Sequence, residues 1–298
     1  MMAFFVAHGE DLSLDAAARS ASSSGFIQLS DGITEYRLSG PTDGEVVVLV
    51  PGLTVPRGYW DAVVDALNAL GYRTLAYSGY GRGLSDRIHG RYDQPLFIRQ
   101  LTELLAALDL DPACHLVGTS MGALVAMAYT ARAFTAPVSL TVIGPAGLSS
   151  ASSMARRVLR FETLAAVVGR RLGQRALRTH MAHNVHTEAD AQRLAELVGQ
   201  PYRYPGSIYA LVSTVRDYPL AGQERLYSRV GRLDIPKLLL WGEHDTVTPR
   251  DLMNQVRTLL RPAGAEVIAD CGHMAPYEQP AVVAARLTQF FATLEAKA

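Results

Sequence analysis

The sequence has few cysteines, no excess of either charge and no long apolar run. Its two cysteines, Cys114 and Cys271, show neither disulfide-framework nor metal-site spacing. Lys plus Arg and Asp plus Glu both number 28, which argues against a nucleic-acid partner and against electrostatic attachment to a membrane. No apolar stretch approaches the roughly 18 residues of a membrane span. We therefore expect a cytoplasmic protein with no membrane span, acting on a neutral or apolar partner.

Residues 1–24 are predicted to form an N-terminal extension that precedes the α/β core. The apolar residues 1–7 faintly resemble the core of a secretory signal, but no positive charge precedes them and Glu10 and Asp11 follow closely. Residues 20–25, rich in serine, are typical of a flexible join. We expect no signal peptide and a loosely docked extension.

Most of the remaining chain alternates between strand and helix patterns. A continuous Val/Leu run at residues 46–50 is typical of a strand buried on both faces. Such alternation predicts an α/β fold with a mostly parallel central sheet and helices on both faces. Asp31-Gly32 separates two short apolar segments and predicts an antiparallel hairpin at the sheet edge. Further strands are predicted at residues 72–77, 114–117, 140–143, 236–241 and 266–268.

The alternation is interrupted once. Residues 149–233 show only helical patterns and many arginines, so we expect an inserted all-helical cap over the carboxyl ends of the strands, where ligands bind in open α/β sheets. The α/β core then comprises residues 25–148 and 234–298.

The pentapeptide Gly-Thr-Ser-Met-Gly at residues 118–122 follows a predicted strand and precedes a small-residue helix. A serine on this sharp turn projects its hydroxyl above the sheet, and the flanking glycines avoid crowding. Ser120 is therefore the candidate nucleophile. Because a motif of this kind is weak by itself, a base, an acid and an oxyanion site must also be present.

The order nucleophile, acid, histidine expected for such a turn restricts the partners of Ser120. Asp245 follows a predicted strand, and the only histidine downstream of it is His273, in the loop before the last helix. Glu243 and Asp270 are rival acids, although Asp270 is too close in sequence to His273 to orient it easily. We predict that Asp245 holds the tautomer of His273 and stabilises its imidazolium form.

An oxyanion requires preorganised donors. The backbone N–H of Met121, directly after the nucleophile, is one candidate. The other is Leu53, in the loop after residues 46–50, where Gly52 allows a close approach of the backbone.

These motifs resemble the α/β-hydrolase superfamily, in its serine esterase and lipase-like branch with a helical cap. The resemblance rests on residues 118–122, Gly242 to Asp245, Gly272-His273 and Pro51-Gly52-Leu53, and it covers nearly all of residues 25–298. The family usually has His-Gly where this chain has Pro51-Gly52, which affects the detail of that loop. Related dehalogenases and epoxide hydrolases carry an aspartate in place of Ser120.

The resemblance implies an α/β-hydrolase fold and cleavage of a carboxylic ester or lactone through an acyl-enzyme. The cap and the neutral charge suggest a moderately large, mostly apolar, neutral small-molecule substrate, with macrolide-type lactones among the candidates. No cofactor and no metal are expected. Two alternatives stay open: a C–C bond hydrolase of ring-cleavage diketones, and a ligand receptor or regulatory module on a hydrolase fold.

Several other features favour structural interpretations. His180, His183 and His186 are interpreted as polar cap surface rather than metal ligands, because the first and third diverge around a helix. Arg156, Arg157 and Arg160 are interpreted as a solvated helix face. The glycine-rich residues 79–83 lack the immediate helix of a dinucleotide site, and Cys271 lies on no nucleophile turn. Tyr202, Tyr204 and Tyr209 either line the pocket or pack in the core.

Overall fold

A computed structural model describes residues 2–149, residue 159 and residues 161–295, and the sheet at its centre has eight strands within this part of the chain. The spatial order is β1-β2-β4-β3-β5-β6-β7-β8. Pairing is antiparallel for β1 with β2 and for β2 with β4, and parallel elsewhere. The predicted α/β fold and the edge hairpin are thus confirmed. The strands are β1 Gly25–Gln28, β2 Ile33–Ser39, β3 Val46–Val50, β4 Arg73–Tyr77, β5 His115–Thr119, β6 Ser139–Ile143, β7 Lys237–Gly242 and β8 Gly264–Ile268.

Helices cover both faces of this sheet. α2 packs against α11, whereas α3 packs against α4, α4 contacts α8, and α8 contacts α9. In the described residues, no helix combines the length and apolarity needed to cross a membrane. The helices are α1 Ala16–Ser20, α2 Asp61–Ala69, α3 Gln94–Ala107, α4 Met121–Thr130, α5 Glu162–Ala182, α6 Glu188–Gly199, α7 Ser207–Asp217, α8 Glu224–Gly231, α9 Met253–Leu260, α10 Ala275–Glu278 and α11 Pro280–Glu295.

The centre of the sheet is fully enclosed, which explains its continuous apolar sequence. Every residue of β5, β6 and β7 is buried, and so is every residue of α4. Small residues let α4 lie close to the sheet: a Cβ on Gly122 would strike the carbonyl oxygens of Val50 and Pro51. The start of α4 is therefore fixed against the end of β3, where the candidate oxyanion loop begins.

Between β6 and β7 the described residues form helices and no strand. α5 packs against α6 and α7, whereas α8 packs against α4 and α9, which are helices of the core. We call α5, α6 and α7 the cap helices, and propose that the cap domain ends before α8.

The N-terminal segment is not the loose extension that its composition predicts. Met2 and Phe5 are each 2% exposed, and the hydroxyl of Tyr209 in α7 donates to the carbonyl of Met2. The carboxylate of Glu10 accepts hydrogen bonds from the backbone N–H groups of Gly206 and Ile208, at 3.0 and 2.6 Å, and from a third at Ala7. Two of these three donors lie at the start of α7, so Glu10 holds the N-terminal segment against that helix.

Candidate active site

Ser120 lies between the end of β5 and the start of α4, at an unusual backbone conformation. Its φ is 53° and its ψ is −120°, in a region that non-glycine residues rarely adopt. The surrounding structure holds it there: the Ser120 N–H donates to the carbonyl of Ile143 in β6, and a Cβ on Gly118 would strike the backbone of Gly122 and Ala123. Such strain concentrates at functional positions.

His273 and Asp245 form a buried pair. Nδ1 of the imidazole lies 2.8 Å from Oδ2 of the carboxylate. The Asp245 carboxylate also accepts from the N–H groups of Val247 and Thr248 and from the Thr248 hydroxyl at 2.7 Å. These donors fix the carboxylate, which in turn favours the tautomer with its proton on Nδ1 and leaves Nε2 as the basic atom.

The loop that carries Asp245 is anchored to the sheet. The indole N–H of Trp241, in β7, donates to the carbonyl of Thr248 at 2.9 Å. Gly144 adopts a positive φ of 48°, and a Cβ there would lie 3.0 Å from Asp245 Oδ2 and 3.4 Å from His273 Nδ1. The absence of a side chain at Gly144 leaves room for the pair.

The rival acids lie elsewhere. Glu243 and Asp270 are exposed, and the carboxylate of Glu243 accepts from the backbone N–H of Asp270 at 3.4 Å and lies 3.7 Å from His244 Nε2. One ligand atom from each of Glu243, His244 and Asp270 falls within 4.8 Å of the others. This exposed group is where the described residues could hold a cation, although exposed acidic groups are common without one.

A cavity of about 600 Å³ lies between Ser120 and His273 on one side and the cap helices on the other. Ser120, His273, Met121 and Leu53 line its core side. The cap side is mostly apolar, and the described lining residues include no Arg, Lys, Asp or Glu. From the cap helices and the residues just after α5, the lining includes Ala176, Leu177, His180, His183, Asn184, Leu211 and Val215.

The candidate oxyanion loop is held by a residue that the sequence analysis missed. Arg82, which is 1% exposed, donates from Nε to the carbonyl of Leu53 at 2.7 Å and from Nη2 to the hydroxyl of Thr214 in α7 at 2.9 Å. A third bond reaches the carbonyl of Tyr80. Burial lowers the pKa of this guanidinium. The glycine-rich residues 79–83 thus place a buried cation that joins the candidate oxyanion loop to the cap.

The three cap histidines differ in their surroundings. His180 is partly buried and lines the cavity, so its interpretation as polar surface is wrong. Burial, with a further contribution from His273, lowers the pKa of His180 to about 4. His183 and His186 are exposed, and the ring of His186 stacks on that of His244 at 4.1 Å.

The other expectations from the sequence are resolved in part. Tyr202, Tyr204 and Tyr209 are all buried, and no tyrosine of the described residues lines the cavity, so packing accounts for them. Cys271 is fully buried, and burial raises its pKa well above the usual range, which makes it a poor nucleophile. Arg156, Arg157 and Arg160 lie outside the described residues.

Comparison with known proteins agrees with the architecture. The sequence matches the alpha/beta hydrolase family over residues 47–286. The chain therefore belongs to the alpha/beta hydrolase family and is a hydrolase.

Its relatives catalyse several reactions. The chain is 25% identical over 265 residues to a putative carbamate hydrolase, RutD, of Variovorax paradoxus, covering 88% of this chain and 97% of the relative. It is 26% identical over 275 residues to a 2-hydroxy-6-oxononadienedioate/2-hydroxy-6-oxononatrienedioate hydrolase of Cupriavidus pinatubonensis, covering 88% and 93%. A thermophilic esterase from Thermogutta terrifontis has the same fold, with a TM-score of 0.73, 23% identity and coverage of 92% and 99%.

Proposed function

We propose that the protein is a serine hydrolase that cleaves a neutral carboxylic ester or lactone through an acyl-enzyme. The observation that carries this proposal is the placement of Ser120, on its strained turn, in the same cavity wall as His273, whose imidazole is paired with buried Asp245. A serine hydroxyl is a weak nucleophile until a base removes its proton. His273 in the cavity wall is the proposed base, and Asp245, buried behind it at Nδ1, is the proposed orienting acid.

In the proposed reaction, Nε2 of His273 accepts the Ser120 proton as Oγ attacks the carbonyl carbon. The tetrahedral oxyanion accepts hydrogen bonds from the backbone N–H groups of Met121 and Leu53. The positive end of the α4 dipole lies beside Met121 and favours the same negative charge. His273 then protonates the leaving alkoxide, and the acyl group stays on Ser120.

Deacylation repeats the same steps with water. His273 removes a proton from water, the resulting hydroxide attacks the acyl-enzyme, and the proton returns to Ser120 as the carboxylic acid leaves. Throughout, Asp245 stabilises the imidazolium without taking the proton. No residue outside the cavity and the Asp245 loop is required.

The chemistry of the cavity supports a neutral substrate of moderate size. A volume of about 600 Å³ falls within the range of small-molecule sites. The described lining has no charged side chain of Arg, Lys, Asp or Glu, so an ionic group would lose its hydration without gaining a partner. Both cysteines are free and buried, and we propose a cytoplasmic location, where thiols stay reduced.

The second candidate is hydrolysis of a C–C bond in a ring-cleavage diketone. It is favoured by the relative from Cupriavidus pinatubonensis, whose name specifies a dienedioate substrate. A dienedioate carries carboxylates, and a cap arginine would be the natural partner for one. The described lining offers none, which favours the ester or lactone.

A direct test compares substrates and uses Ser120→Ala as the control. The native protein should hydrolyse p-nitrophenyl acyl esters or members of a lactone panel, macrolides included, faster than a coloured dienoate. A fluorophosphonate reagent should add one adduct to the native protein, as seen by intact mass, and none to Ser120→Ala. Faster turnover of the dienoate would favour the C–C hydrolase. Ligand binding without labelling or turnover would favour a receptor.

A further inference from the structure

Asn184 is a buried carboxamide in the wall of the cavity, two residues beyond α5. Its side chain is 1% exposed, and neither Oδ1 nor Nδ2 has a hydrogen-bond partner within the described residues. Its backbone carbonyl accepts from the N–H of His273 at 2.9 Å. The side chain is therefore held next to the candidate base, in a position where an unmade hydrogen bond costs free energy.

The end of α5 does not need this side chain. The N–H of His183 donates to the carbonyl of His180, and the N–H of Asn184 donates to the carbonyl of Met181. Backbone bonds thus satisfy the carbonyls of His180 and Met181 in the last turn without the Asn184 side chain. The Asn184 side chain makes no hydrogen bond to His273 or Asp245. The Asp245 carboxylate already accepts hydrogen bonds from Val247, from Thr248 and from the imidazole of His273.

His180 precedes Asn184 by four residues and lines the same cavity. Asn184 lies beyond the end of α5, and the shared cavity wall is what brings the two residues to the same space. Because burial keeps the pKa of His180 near 4, its imidazole is uncharged at neutral pH and offers one donor and one acceptor. The neighbouring cap residues, including Leu177, Leu211 and Val215, are apolar. His183, which is exposed, also borders the cavity. Asn184 and His180 are therefore two uncharged polar side chains in a cap wall that is otherwise mostly apolar.

We propose that Asn184 and His180 form a polar subsite for an uncharged oxygen of the substrate, so that the preferred substrate is an ester or lactone with a keto or hydroxyl group on the part that faces the cap. This proposal rests on the proposed function of the same cavity. Asn184 supplies an N–H donor and a carbonyl acceptor, and His180 supplies one of each. A purely hydrocarbon substrate would leave these groups unpaired, and specificity of this kind arises when buried polar groups lose their partners.

The test uses matched substrates. A set of p-nitrophenyl octanoates, each with a single ketone at a different carbon, is compared with p-nitrophenyl octanoate. The native protein should prefer at least one ketone, and Asn184→Leu should lower the ratio of kcat/KM for that ketone to kcat/KM for octanoate by about tenfold. Asn184→Asp, which keeps acceptors and loses the donor, should also lose the ketone preference. Thr179→Val, which removes an exposed polar group of α5, is the matched control and should leave the preference intact.

A second measurement separates this proposal from the proposed function. Binding of the corresponding keto-octanamides and of octanamide is measured by calorimetry in the Ser120→Ala background, where turnover is not needed. Asn184→Leu should lower the ratio of the affinity for the keto-amide to the affinity for octanamide. Loss of ester turnover with retained keto-amide selectivity would reject the esterase and keep the subsite. No preference for any ketone in either assay, or a preference that survives Asn184→Leu, overturns the subsite.

Discussion

Oδ2 of Asp245 lies 2.8 Å from Nδ1 of His273, and the two side chains are 0% and 2% exposed. A carboxylate that is so completely removed from water, and that accepts from Thr248 as well, is positioned to hold one orientation of the imidazole.

Asp245→Asn should lower kcat by about four orders of magnitude, because an amide in this position favours the wrong tautomer of His273. KM should change little, since Asp245 does not line the cavity. Steady-state kinetics on a p-nitrophenyl ester measure both. Glu243→Gln is the matched control, because Glu243 is exposed, and it should retain near-native kcat. If Glu243→Gln were the damaging change, the assignment of the acid would be wrong.

Arg82→Lys should lower both activity and stability. An ammonium cannot reproduce the three-way contact with Leu53, Tyr80 and Thr214. The candidate oxyanion loop would lose its anchor, so we expect kcat to fall about tenfold and the free energy of unfolding to fall by about 2 kcal/mol, measured by urea titration. Thr214→Val removes the acceptor for Arg82 on the cap helix and the bond from the same hydroxyl to the carbonyl of Ala210, and it leaves the contact with Leu53; it should have the smaller effect on kcat. Equal effects of both variants would mean that the contact with Leu53 is unimportant.

Glu10→Gln should destabilise the docked N-terminal segment. The carboxylate accepts from three backbone N–H groups, and an amide has only one acceptor oxygen, so at least one buried donor is left unpaired. We expect a loss of about 2 kcal/mol in the free energy of unfolding and faster amide exchange at Ile208. Asp11→Asn alters the neighbouring exposed pair with Arg203 and should have little effect. Unchanged exchange at Ile208 in Glu10→Gln would contradict this role.

His180 should make stability depend on pH below neutrality. Its pKa falls from 6.5 in the unfolded chain to about 4 in the folded protein. Between these values the unfolded state binds a proton that the folded state does not. Stability should therefore be fully present above about pH 6.5 and decline as the pH falls towards about 4, with a slope of at most about 1.4 kcal/mol per pH unit.

Urea titrations of the native protein and of His180→Gln over this range measure the contribution of His180. His273 and His183 are present in both proteins and both contribute to lowering the pKa of His180, so the difference reports His180 together with its coupling to these two imidazoles. Parallel pH dependences would show that His180 does not carry the effect.

Much of the fold was predictable, because its signals are local. Three short segments each predict their local structure from a few residues: the Val/Leu run of β3, the Asp31-Gly32 turn and the serine pentapeptide. The candidate pair of Asp245 and His273 followed from the order of elements, since the loops after parallel strands meet at one edge of a sheet.

The features that were not predicted depend on distant partners. Glu10 accepts hydrogen bonds from Gly206 and Ile208, which lie 196 and 198 residues away, and Arg82 reaches Thr214 across 132 residues. A glutamate in an extension or an arginine in a glycine-rich loop gives no local sign of burial. Asn184 was overlooked for the same reason, because nothing in its immediate sequence tells which side of the cap faces the cavity.

The docking of residues 2–10 has a consequence for the cavity. The carbonyl of Met2 accepts a hydrogen bond from Tyr209, and Phe5 packs on the same ring, so both residues support one side of α7. The other positions of that helix include Leu211 and Val215, which line the cavity. A change in the packing of Phe5 would therefore be transmitted to the substrate side of the cap, although Phe5 itself does not line the cavity.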